Sequence, residues 1–228
     1  MQRKQPRYFS AIATVIWKDF AIEWRARQLL TSMLMFSILV ILIFNFTLDL
    51  NARVRSELSA GVLWATFAFA GTLGLNRSFA LESENRALDG LLLAPIDRSA
   101  MYFGKVAANM LFMLVVELLT LPMYGLLYNV NPFHNGFLLV LLLGSWAYSA
   151  IGTLLSAMSV QTRSRDLLLP VLLFPVALPV LVAAVGASNA FLSGLEFAYA
   201  WPSISLLFAV GVIIPTLGYM FFDLIVEE

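Results

Sequence analysis

The sequence predicts an all-α membrane protein with six transmembrane helices, and three observations carry that prediction. The 228 residues are 61% hydrophobic and 12% charged, about half the charge of an ordinary soluble domain. Mean hydropathy is +0.86 and there are 18 phenylalanines. Mostly apolar runs of about 20 residues, the length that crosses a bilayer, recur six times with short connections between them. No stretch is left for a soluble domain. The formal net charge of zero gives no basic footprint for nucleic acid. Cysteine is absent, which excludes disulfides, thiolate metal sites and cysteine nucleophiles.

The elements follow in order. Residues 8–28, "YFSAIATVIWKDFAIEWRARQ", place Phe9, Ile12, Ile16, Phe20 and Trp24 at helical spacing, with Lys18, Asp19, Glu23 and Arg25 mostly elsewhere. Such a helix is expected to lie in the headgroup plane with its apolar face down. No small-residue cleavage site follows its long polar stretch, so the first apolar run is expected to remain as a span.

The six spans are expected at about 29–48, 59–75, 105–128, 137–160, 167–187 and 201–225. Spans two and four carry small residues (Gly61, Ala65, Ala68 and Thr72; Gly144, Ser145, Ser149, Gly152, Thr153 and Ser156). Small faces let helices approach closely where no hydrophobic drive operates, so they mark helix–helix or subunit contact. Pro170, Pro175 and Pro179 interrupt span five and should bend it. Residues 188–203 are too short to cross, and their aromatics predict a short helix at the outer face. Tyr128, Tyr199 and Trp201 at outer ends, with Tyr102 and Tyr219 at inner ends, read as an aromatic belt.

Orientation follows from the lysines and arginines. With the N-terminus inside, twelve of them (Arg3, Lys4, Arg7, Lys18, Arg25, Arg27, Arg77, Arg86, Arg98, Lys105, Arg163 and Arg165) fall inside and two, Arg53 and Arg55, outside. Both termini are therefore expected in the cytoplasm.

The inner loop between spans two and three holds "LESENRALDGLLLAP", residues 81–95. Leu81, Leu88, Leu91 and Leu92 share one side of a helix, and Glu82, Glu84, Arg86 and Asp89 occupy other faces. Pro95 should end it, and Asp97 or Ser99 should cap the next span. An acidic face suits an anionic inner leaflet poorly. A protein partner accounts for both faces, so this segment reads as a cytoplasmic docking helix.

On these residues the sequence resembles the ABC-2 type transporter permeases, whose inner loop carries an acidic pair, an "LDGLLLAP"-like core and a following "GK" (here Gly104–Lys105). Over its whole length the chain resembles the heme exporter protein B (CcmB) family, the permease subunit of the cytochrome c maturation system. The length, six spans, N-terminal amphipathic helix, "QTRSRD" loop (161–166) and triple-proline fifth span carry that likeness. The resemblance implies an ABC-2 type permease fold in a bacterial inner membrane. It makes 81–95 a coupling helix that docks on a separate ATP-binding subunit (CcmA-like) through Glu82, Glu84, Arg86, Leu88, Asp89, Leu91, Leu92 and Pro95. It also implies CcmC-, CcmD- and CcmE-like heme-handling partners, with heme as the cargo. ATP would power either heme export or the release of a heme-loaded chaperone.

The residues themselves exclude an ATPase within the chain. A phosphate loop needs G-x-x-x-x-G-K-[ST], but Ser99 and Val106 flank Gly104–Lys105 at the required positions. No catalytic residue, bound cofactor or metal site is assigned; ATP belongs to the partner. Glu117 lies in the middle of span three, where a charge is costly and usually faces a cavity or a partner. It is a candidate for the translocation path or a proton relay, or else a protonated acid bonded to a neighbouring helix near Pro122. His134, the sole histidine, sits in an outer loop. It is either a heme contact, since histidine is a common axial ligand, or a solvated side chain.

One six-span copy seldom encloses a path, so a second copy is expected, packed partly through the small faces. An ABC-2 permease for another hydrophobic cargo (lipid or drug) and a non-transporting membrane assembly scaffold are the alternatives. A secondary transporter is disfavoured by the lack of repeats and by the single intramembrane acid.

Overall fold

A computed structural model describes residues 8–47, 52–84, 97–159 and 165–227. These form seven helices: α1 (Tyr8–Ala26), α2 (Gln28–Thr47), α3 (Ala52–Glu84), α4 (Arg98–Tyr128), α5 (Asn135–Ser159), α6 (Arg165–Leu192) and α7 (Phe197–Glu227). Helices α2 to α7 each contain a stretch long and apolar enough to cross a bilayer. The chain is a multi-pass membrane protein.

Local chemistry sets the boundaries. Arg27 turns the chain between α1 and α2 with φ +52°, in the left-handed region that a non-glycine residue enters at a cost of about 1–2 kcal/mol. Its N–H donates to the Glu23 carbonyl at 2.7 Å. The Glu23 carboxylate then accepts from the N–H groups of Leu29 (3.2 Å) and Leu30 (2.9 Å). An acid from α1 thus satisfies the open N-terminus of α2 and complements its dipole. Asp97 caps α4, accepting from the backbone N–H (2.9 Å) and hydroxyl (2.6 Å) of Ser99. Asn129, at φ 53°, closes the other end.

Packing places α3 and α5 innermost. The span of α3 is 72% buried, against 22% for α2, and α5 packs against α3, α4, α6 and α7. Antiparallel α4 and α5 meet in a polar ladder with a four-residue step. Asn109 donates to Thr153 at 3.0 Å, Ser149 to the Met113 sulfur at 3.4 Å, and Ser145 to Glu117 at 2.6 Å. The step keeps one face of each helix in register. Tyr148 donates to the Ala68 carbonyl at 2.7 Å and shares a 2.8 Å bond with Thr72, tying α5 to α3. Trp64 donates to Ser188 at 2.8 Å, tying α3 to α6.

Several expectations shift. The second span falls at Leu58–Ser78, close to its expected bounds, while the helix that contains it runs on to Glu84. The third begins at Arg98 rather than 105, since the Asp97 cap lets the helix start in polar sequence. Residues 188–203 form no separate outer helix. Residues up to Leu192 finish α6 and those from Phe197 open α7, with a turn through Gly194 (φ 70°) between. Within a single copy, Gly144 leaves the space that the Trp64 ring occupies and Gly152 that of the Leu75 side chain, whereas Gly61 faces open space. Tyr102 and Tyr128 are core residues rather than belt residues. Each is fully buried and donates to a carbonyl of a neighbouring helix, Ala150 and Ile41 respectively. Tyr199, Trp201 and Tyr219 remain exposed.

Candidate functional site

Residues 85–96 connect the two long helices α3 and α4. Glu82 and Glu84 fall in the last turn of α3, continuous with the second span. Arg86, Leu88, Asp89, Leu91, Leu92 and Pro95 of the expected docking helix lie outside the described residues, as do residues 161–164 of the "QTRSRD" loop. The loop's exit is described from Asp97 onward, and there it meets α1.

Helix α1 lies along the head of α4 and is held by successive contacts down its length. Tyr8 and Ser99 share a 3.2 Å hydroxyl bond. Val15 packs against Gly104, where any Cβ would collide with the valine side chain and crowd the Ile12 carbonyl. Lys105, one residue on and only 1% exposed, reaches Asp19 at 2.9 Å. Phe20 stacks on Phe112 with ring centroids 4.7 Å apart. Glu23 then caps α2. The "GK" pair therefore has a local purpose: glycine admits α1, and lysine pairs with its acid. A buried lysine needs such a partner.

This corrects the expected face of α1. Ala11, Val15, Asp19 and Glu23 are buried together at four-residue spacing, so the two acids point into the protein. The outward aromatics are Phe9 (81% exposed), Trp17 (75%) and Trp24 (78%), whereas Phe20 turns to Phe112. Asp19, Glu23 and Lys105 were not legible as a site by charge alone. The signal was the shared stripe: both acids repeat the spacing of Ala11 and Val15.

Glu117 is 1% exposed in the α4–α5 seam, where its Oε1 accepts from Ser145. Oε2 has no hydrogen-bond partner among the described residues. His134 is exposed just before α5. Its Nδ1 accepts from the Gly136 N–H at 3.3 Å, its carbonyl accepts from Leu138 at 3.0 Å, and its ring stacks on Phe191. It thus serves as a cap for α5. The structure does not bring Glu117 and His134 together with the inner loop; they occupy the core seam and the opposite end of α4.

Comparison with known proteins adds to this geometry. The family described as CcmB protein matches residues 10–222, taking in α1, the inner loop and all six spans. Heme exporter protein B of Rhodobacter capsulatus is 31% identical over 150 residues, 65% of this chain and 69% of that protein. Heme exporter protein B of Paracoccus denitrificans is 28% identical over 202 residues, 88% and 90% of the two chains. Its counterpart in Pseudomonas aeruginosa is 29% identical over 187 residues, 82% and 84%. With a six-span bundle, and with likeness running from the N-terminal helix to the last span, this chain belongs to the CcmB family.

Proposed function

We propose that the protein is the membrane-spanning permease subunit of an ABC transporter for heme export in cytochrome c biogenesis. One observation carries the reading: the likeness to proteins named Heme exporter protein B runs almost end to end. Residues 81–95 dock on a separate ATP-binding subunit, with Leu88, Leu91 and Leu92 buried in the contact and Glu82, Glu84, Arg86 and Asp89 around its rim, where charges set orientation more than affinity. Pro95 ends the docking helix before the Asp97 cap. Work done on the loop enters α4 at its head, and the clamp formed by Val15, Gly104, Asp19 and Lys105 carries it into α1 and, through Glu23, into α2.

The assembly takes two copies of this chain and two ATPase subunits, with CcmC-, CcmD- and CcmE-like heme-handling proteins alongside, in the bacterial inner membrane with both termini cytoplasmic. ATP acts in the partner, and heme is the cargo or the load of a released chaperone. Glu117 serves the path from within its wall, by keeping α4 and α5 in register. His134 offers Nε2 to heme at the outer surface, its Nδ1 being taken by Gly136. Heme-linked absorbance of the purified complex, lost in His134→Ala, is the expected sign of that contact.

Co-purification tests the main claim. The native chain is expected to bring down an ATP-binding subunit without spans of its own, and the Leu88→Asp/Leu91→Asp double variant to lose it. An intact complex in the double variant would refute docking through this face.

A further inference from the structure

Both acids of α1 are turned into the protein, and this unbalances the surface where α1 meets α2. Asp19 is buried against Lys18 at 3.2 Å and Lys105 at 2.9 Å. Glu23 is buried and spent on the N–H groups of Leu29 and Leu30. The charges that remain outward at the end of the helix are Arg25 and Arg27, both exposed, beside exposed Trp24. A segment that mixes acids and bases in sequence therefore presents only cations at this corner.

Helix α3 brings a third guanidinium to the same place. Exposed Arg77 donates from Nη2 to the side-chain oxygen of Gln28, the first residue of α2. That partner is a neutral amide, so the guanidinium is oriented without being neutralised. Among the described residues no acid pairs with Arg25, Arg27 or Arg77. Like charges gathered at one corner repel each other, and open guanidinium forks match the geometry of phosphate. The spans fix the depth of the corner. Gln28 opens the first span, Gln28–Thr47, and Arg77 lies one residue before the end of the second, Leu58–Ser78. Both sit where hydrocarbon gives way to headgroups, the level that tryptophan also favours.

We propose that Arg25, Arg27, Gln28 and Arg77, with Trp24 alongside, bind the phosphate of an anionic glycerophospholipid. The side-chain oxygen of Gln28 is taken by Arg77, which leaves its amide nitrogen to donate to the same phosphate. A lipid fits better than the acidic surface of a protein because the arginines stand at the membrane boundary and Trp24 projects beside them. The inference needs only that the helices cross a bilayer, and it stands apart from cargo and from ATPase docking.

Lipid retention tests it. The full-length protein in mild detergent is incubated with equal amounts of phosphatidylglycerol and phosphatidylcholine, excess lipid is removed, and the retained phospholipid is counted by mass spectrometry. The native chain is expected to enrich phosphatidylglycerol at least about fivefold, the worth of one arginine at an anionic surface. Arg25→Gln/Arg27→Asn changes exposed side chains only, and asparagine tolerates the left-handed turn at residue 27. This double variant is expected to lower the enrichment, and addition of Arg77→Gln to bring it to parity; the double variant decides the matter where the triple fails to fold. Arg53→Gln/Arg55→Gln, at the opposite end of α3, should leave the enrichment unchanged. Equal retention of both lipids by the native chain would overturn the proposal, as would an enrichment that survives the double change or falls equally in the Arg53/Arg55 variant. Displacement of the lipid by excess inorganic phosphate at constant ionic strength would also overturn it, by showing a site for a free anion. So would loss of a co-purifying ATP-binding subunit from the double variant with lipid enrichment intact, which would give the corner to a protein partner.

Discussion

Lys105 enters α4 within two turns of its cap and is buried to 1% exposure, with Asp19 2.9 Å away. Removing one member of a buried ion pair costs about 3–5 kcal/mol, whereas exchanging the two keeps that pair's charges matched. Asp19→Ala is expected to lower the thermal stability of the purified protein and abolish c-type cytochrome production in a strain lacking its own permease. The exchange Asp19→Lys/Lys105→Asp is expected to recover most of both. If the exchange were as damaging as the single change, the pair would not be the link. For Glu117 the seam geometry predicts a different pattern. Glu117→Gln keeps an acceptor for Ser145 and is expected to change stability by less than about 1 kcal/mol, in line with typical interhelical bonds in bilayers. Glu117→Ala removes the acceptor and leaves a gap, costing about 1–3 kcal/mol. Loss of cytochrome production in a stable Glu117→Gln protein would instead place the carboxyl in proton or cargo transfer. That Glu117 stood alone among apolar residues was visible in the sequence. Its partner was not, because Ser145 is selected by the antiparallel register of α4 and α5, and that register is set by how the chain turns between Tyr128 and Asn135.

At the scale of elements, α1 has two faces with separate duties. One carries Phe9, Trp17 and Trp24 outward, suited to the lipid interface; the other fits the head of α4. The fit depends on Gly104, since any side chain there meets Val15. Gly104→Leu is expected to push α1 off α4 at about 1–3 kcal/mol, the usual range for overpacking. Its signature is faster proteolysis within residues 8–26 while the six spans stay protected; unchanged cleavage would mean that α1 is not seated there. The sequence showed that α1 exists and that Phe9 and Trp24 face outward, because hydrophobic period is a strong signal, but it grouped Phe20 with them and left Trp17 out. It misassigned the acids, because charge is read by default as solvated and only a tertiary partner reveals otherwise. Helix ends were likewise blurred: hydropathy stops at Lys105 and at Leu75, but caps and continuous backbone bonding carry α4 back to Arg98 and α3 on to Glu84.

For the whole molecule, six spans and the family were legible in the sequence, since composition and apolar run length set the first and the loop pattern pointed to the second. Of the two readings of the small faces, helix–helix or subunit contact, the first describes Gly144 against Trp64 and Gly152 against Leu75 within one bundle. The outer helices α2, α6 and α7 leave most of their spans uncovered, between 22% and 33% buried. The most direct test is labelling of a single cysteine at Leu88 with an impermeant thiol reagent, in right-side-out and inside-out vesicles, with and without the ATP-binding subunit. Labelling is expected in inside-out vesicles only, with protection when the subunit is bound. Labelling from the outer side, or labelling that the subunit leaves unchanged, would contradict it.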